Sequence, residues 1–179
     1  MEIIFVRHGI PDYSLCDERK MTQLEKDYAP LNRDGIPAIC ATAEELRTEN
    51  AQVIISSPYT RALQTAEILN RSLGLELFVE HDLREWRADL SGGYIELSER
   101  DRRWHEHRDT LKHNIHPQDI PYESWMELKA RTEKVLRQYN EYSRVVIVSH
   151  FNVFESLAGY QEHGLSCGSY RYLKLEETG

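Results

Sequence analysis

The chain has 179 residues, 40% hydrophobic and 29% charged, which suits one soluble domain with a substantial core. Its formal net charge of -8 repels a phosphate backbone, so nucleic acid is not an expected partner, and any phosphate must be met by a local cluster of cations. Cys16, Cys40 and Cys167 are too scattered for a disulfide framework or a zinc site, and no stretch reaches the run of about 20 apolar residues that a membrane span needs.

No basic leader precedes the first strand pattern, so the expectation is a cytoplasmic protein with no membrane partner. Nothing in the pattern sets an oligomeric state. Ile3-Ile4-Phe5-Val6 is a short apolar run that predicts a strand buried on both faces, ending at Arg7-His8-Gly9. Residues 10–30 show no clean period and read as an irregular connection with room for one short helical turn. Ile39, Ala43 and Leu46 predict a helix over 36–49.

Val53-Ile54-Ile55 is a second buried strand, followed by Ser56-Ser57-Pro58 and a helix over 60–73 that Gly74 ends. Residues 75–79 form a third strand, completing the βαβ rhythm of a mostly parallel sheet. Residues 81–122 break it. They are polar and hold five histidines, at 81, 105, 107, 113 and 116. This stretch reads as an excursion over the carboxyl ends of the strands within a single domain spanning 1–179, with a solvated helix over 96–108. A long helix over 122–142, a fourth strand at 145–148 and a helix through Leu157 follow. Alternation from Tyr170 to Leu175 predicts a final edge strand. The expected fold is a three-layer α/β/α sandwich.

Arg7-His8, Arg61 and His150 all fall at or just beyond strand ends. Ligands of parallel α/β sheets bind beyond the carboxyl ends of the strands. If these strands are neighbours, two arginines and two histidines converge into a cationic pocket suited to a phosphoryl group, whose oxygens match the guanidinium fork. Each piece alone is weak: a bare Arg-His-Gly triplet arises by chance in a chain this long at roughly the per-cent level. The combination carries the argument.

These segments resemble the histidine phosphatase superfamily, the phosphoglycerate-mutase-like family. Phe5-Val6-Arg7-His8-Gly9 is similar to its Arg-His-Gly signature. Residues 56–66, SSPYTRALQTA, resemble its S-S-P-x-x-R-A-x-Q-T-A segment, Leu83-Arg84-Glu85 its L-x-E, and Val148-Ser149-His150 its V-S-H. The resemblance implies a phosphatase with no metal or other cofactor, acting on a small phosphorylated metabolite. His8 would be the nucleophile and form a phosphohistidine. Arg7, Arg61 and His150 would hold the phosphoryl oxygens in place of a metal ion. Glu85 would be the general acid and base, with Asp82 and Asp89 as rivals nearby.

The chain also departs from the family pattern. Ile10-Pro11 follow the triplet, Ser14 stands where Asn is frequent, and Phe151-Asn152 replace a Gly-Gly pair. Ser14 and Asn152 are therefore candidate phosphate or substrate contacts. A mutase, passing the same phosphoryl group to a second hydroxyl, is the nearest alternative, and an inactive phosphate-binding interaction module is another. Trp86, Tyr94, Trp104, Tyr122 and Trp125 are candidate pocket walls. Of the clustered histidines, only His113 and His116 have a spacing that could chelate together, and it matches no known metal signature.

Overall fold

The computed structural model describes residues 1–175; the last four positions of the expected domain, 176–179, lie outside the described residues. Five strands, β1 (Glu2–Arg7), β2 (Val53–Ser56), β3 (Glu76–Val79), β4 (Arg144–Ser149) and β5 (Tyr170–Lys174), form one sheet in the order β3-β2-β4-β1-β5. All neighbours are parallel except β5, which runs antiparallel along the β1 edge. The expected α/β architecture with a mostly parallel sheet is present, and the fifth strand lies at the edge.

Strand alternation divides the core. Ile3, Phe5, Val53, Ile55, Val145 and Ile147 face one side and pack on α6 (Trp125–Gln138) and α7 (Phe151–Ala158). Ile4, Val6, Ile54, Val146 and Val148 face the other and pack on α3 (Ile36–Leu46) and α4 (Thr60–Leu73). Successive side chains of a strand point to opposite faces, so a run with both faces covered must be apolar throughout. Each such side chain contributes roughly 1.5–3 kcal/mol through burial.

Helix boundaries follow local chemistry. Gly74 ends α4 at φ 62°, a left-handed conformation glycine adopts without a Cβ clash. The helix expected over 122–142 starts later, at Trp125, because Ser124 caps it and Glu127 closes a reciprocal capping box. Residues 10–30 hold two short helices where room for one was expected: α1 (Ser14–Glu18) and α2 (Gln23–Lys26), the second set by a Thr22–Glu25 capping box. The excursion helix α5 runs Leu97–Lys112, longer than the 96–108 expected. No helix of the described residues is long and apolar enough to cross a membrane.

Candidate active site

Sheet register brings the strand ends to one level. Arg7 of β1 pairs with Ser149 of β4, and Ser56 of β2 pairs with Val148. The chain then leaves the sheet at His8, Ser57 and His150, with His8 N–H donating to the Ser149 carbonyl and Ser57 N–H to the Val148 carbonyl, both at 2.9 Å. Arg61 comes from the first turn of α4. A cavity of about 430 Å³ opens above this floor, with Arg7, His8, Arg61 and Glu85 in its lining.

The contacts of His8 fix its ring. Nδ1 lies 2.6 Å from the Gly9 carbonyl, which can only accept, so Nδ1 carries the proton. Arg61 Nε donates to the other nitrogen, Nε2, at 3.3 Å. Burial holds the His8 pKa well below the ordinary 6.5, and the Arg61 and Arg7 charges act in the same direction against the opposing Gly9 hydrogen bond. The ring is therefore a neutral imidazole whose unprotonated Nε2 accepts from Arg61 at the cavity.

Arg61 joins the two histidines, since its Nη2 lies 3.4 Å from His150 Nδ1. Nε2 of His150, carrying the proton, then donates to Ser57 Oγ at 2.7 Å. The two imidazoles meet edge-on with centroids 5.0 Å apart. His150 is fully buried and off the cavity lining, so it backs Arg61 instead of facing the phosphoryl oxygens as expected, and burial and then Arg61 hold it neutral. Arg7 donates Nη1 to the Leu165 carbonyl at 2.5 Å, while its buried Nε has no acceptor among the described residues. That leaves one buried N–H of the guanidinium without a partner.

Glu85 lies on the cavity wall with its Oε1 accepting from the Trp86 amide at 2.8 Å. Burial raises its pKa above the ordinary 4.5, opposed by the Trp86 N–H, by Arg61 and Arg7, and by a hydrogen bond from Asn152. The two sequence rivals are not on this wall. Asp82 pairs with Arg84 at 2.5 Å, and Asp89 pairs with Arg103 at 2.8 Å.

Asn152 is on the wall, but its Oδ1 accepts from Trp104 Nε1 at 3.0 Å and its amide faces Glu85. Ser14 is a correction. It is exposed at the start of α1, its hydroxyl donates to Asp12 at 2.6 Å, and it does not line the cavity. The short α1 turn directs Tyr13 inward instead.

The irregular segments supply residues that sequence reasoning missed. Tyr13 and Tyr59 place their rings 5.8 and 4.9 Å from the Arg61 guanidinium. Asp27, just past α2, accepts from the Tyr59 hydroxyl; burial pushes its pKa to about 6. The T-x-x-E spacing of Thr22 and Glu25 signals the helix that carries Asp27, although nothing local signals where that helix docks. Of the candidate walls, Trp86 and Trp104 line the cavity. Tyr122 packs beneath Trp86, Trp125 lies against His116, and Tyr94 is exposed. His107 is buried against Trp86, whereas His105 lies on the cavity rim. Among the described residues, no three metal-ligating side chains cluster as a metal site requires.

A parallel α/β sheet carrying a histidine and two arginines at its carboxyl rim defines a phosphoryl-transfer class of site. The chain belongs to the histidine phosphatase superfamily (branch 1), whose family model matches residues 3–179. It is 30% identical over 151 residues to the uncharacterized phosphatase PhoE of Bacillus subtilis (strain 168), covering 83% of this chain and 70% of that protein. It is 31% identical over 160 residues to the probable phosphoglycerate mutase GpmB of Enterobacter sp. (strain 638), covering 84% and 69%. The fold matches the mycobacterial glucosyl-3-phosphoglycerate phosphatase with a TM-score of 0.73 at 21% identity, over 96% of this chain and 88% of that one.

Proposed function

We propose that this protein hydrolyses a small phosphomonoester through a phosphohistidine on His8. The observation that carries the reading is the pinned His8 ring, with Nδ1–H on the Gly9 carbonyl and Nε2 facing Arg61 at the cavity. As Arg61 turns from Nε2 to the phosphoryl oxygens, Nε2 attacks phosphorus and the P–O ester bond breaks. Arg7 and Arg61 bind the phosphoryl oxygens as charge spreads over them, and His150 acts from behind through Arg61. Glu85, protonated, gives its proton to the leaving oxygen. Its carboxylate then takes a proton from water as the water oxygen attacks phosphorus and the P–N bond breaks. The raised pKa of Glu85 favours the protonated form that the first step requires. The cations of this scheme are all side chains, so it needs no metal.

The test is hydrolysis of p-nitrophenyl phosphate in excess EDTA, with His8→Ala alongside. Turnover by the wild type and its loss in the variant are expected; activity lost to the chelator and restored by zinc contradicts the scheme. The GpmB relatives favour a second reading, phosphoryl transfer to an acceptor hydroxyl. That reading predicts isomerised ester without release of inorganic phosphate.

A further inference from the structure

Glu85 lies in a stretch with no regular secondary structure between the turn at His81–Leu83 and α5, so no ladder or helix holds its backbone. Buried backbone carbonyls still require donors. Here four consecutive carbonyls take theirs from side chains. Arg131 of α6 donates to the carbonyls of Asp82 (2.5 Å), Arg84 (2.8 Å) and Glu85 (3.1 Å), and Ser149 Oγ donates to that of Leu83 (2.7 Å). The remaining two N–H groups of Arg131 go to Glu123, at 2.6 and 2.9 Å. All five guanidinium donors are thus engaged.

Glu123 holds the other side of the same residue. Its carboxylate accepts from the Arg87 amide at 3.2 Å, and its carbonyl accepts from Trp86 Nε1 at 2.7 Å. Both side chains are nearly out of solvent, at 10% and 7% exposure, so the pair is neither screened nor loosened by water. We infer that Arg131 and Glu123 form a positioning clamp that brackets Glu85 and sets its carboxyl against the leaving oxygen. They touch no substrate. Their task is to hold a general acid within the fraction of an ångström that proton transfer tolerates. This rests on the reading of Glu85 as the acid.

The leaving group separates a clamp from a merely structural ion pair. A phenolate departs with little protonation, whereas an alkoxide needs the acid. kcat/KM is measured on p-nitrophenyl phosphate and on glycerol phosphate for wild type, Glu85→Gln, Glu123→Gln and the double variant. Glu85→Gln is expected to lose selectively on glycerol phosphate. Glu123→Gln is expected to follow it, losing roughly tenfold more there than on the aryl ester. The double variant should then be no worse than Glu85→Gln alone. Equal loss on both esters in Glu123→Gln, or additive loss in the double variant, overturns the clamp while leaving Glu85 as the acid. No selectivity in Glu85→Gln itself overturns the assignment of Glu85, and the clamp with it. Glu123→Asp, which keeps the buried charge and withdraws it by one methylene, gives the same comparison if Glu123→Gln does not fold.

Discussion

The floor and the roof of the cavity are built on different principles. Arg7, His8 and His150 stand at the ends of adjacent parallel strands whose register is fixed by the buried faces of Phe5, Val6, Ile147 and Val148. A one-residue slip there would swap every side chain into the opposite core. The roof, made from residues 10–30 and 81–122, has no sheet to set it. It is held by long-range side-chain contacts, among them Asp27 to Tyr59, Trp104 to Asn152 and Arg131 to the Glu85 segment, and by the packing of Leu83, Trp86 and Tyr122 into the core. The proposed transfer chemistry sits on the rigid part, and the residues facing a leaving group sit on the part that can vary without disturbing the sheet.

Substitutions should break along that line. Arg61→Ala, on the floor, removes the donor that joins His8 to His150, and a roughly thousandfold loss of kcat is expected. Steady-state kinetics on p-nitrophenyl phosphate checks this; a loss confined to KM would place Arg61 in uniform binding only. Trp104→Ala, on the roof, removes a wall and the hydrogen bond to Asn152. It is expected to raise KM for bulky phosphoesters by about tenfold while kcat on p-nitrophenyl phosphate stays within a few-fold. Equal effects on both parameters would erase the division.

The smallest expected effect is one on stability. His107 is buried under Trp86 and held neutral by burial, with a pKa near 4 against about 6.5 in the unfolded chain. A depressed histidine pKa means that the unfolded state binds the proton first. The stability is therefore complete above pH 6.5 and is lost as pH falls toward 4. His107 accounts for about 2 kcal/mol of loss between pH 7 and pH 5. Urea unfolding of His107→Gln at the two pH values should show that much less acid sensitivity than wild type, with kcat unchanged. Identical pH dependence would show that the ring takes up its proton as readily in the fold as in the unfolded chain.

The same division decides what the sequence reveals. The floor is legible because its signals are local: an apolar run with both faces buried, a polar break after it, and a glycine at the αL end of α4. Arg61 is legible for the same reason, in the first turn of a helix whose 60–73 span the apolar spacing predicts. Ser14 misleads because its place is set by the α1 turn, which pairs it with Asp12 and sends Tyr13 inward. Asp27 is invisible for a related reason. Its role depends on where a four-residue helix docks, and that docking is fixed by partners more than thirty residues away. The start of α6 is a milder case, because the Ser124–Glu127 capping box overrides an apolar pattern that continues back to Tyr122.

The central claim is that His8 carries the phosphoryl group between the two steps. Phosphohistidine survives alkali and hydrolyses in acid, so the direct measurement is an alkaline quench during turnover of p-nitrophenyl phosphate, followed by mass spectrometry of the peptides. A single phosphoryl group on the peptide containing His8, lost on acid treatment and missing from His8→Ala, is the result this account predicts. Continued turnover with the phosphoryl group on another residue, or undiminished turnover by His8→Ala, would contradict it.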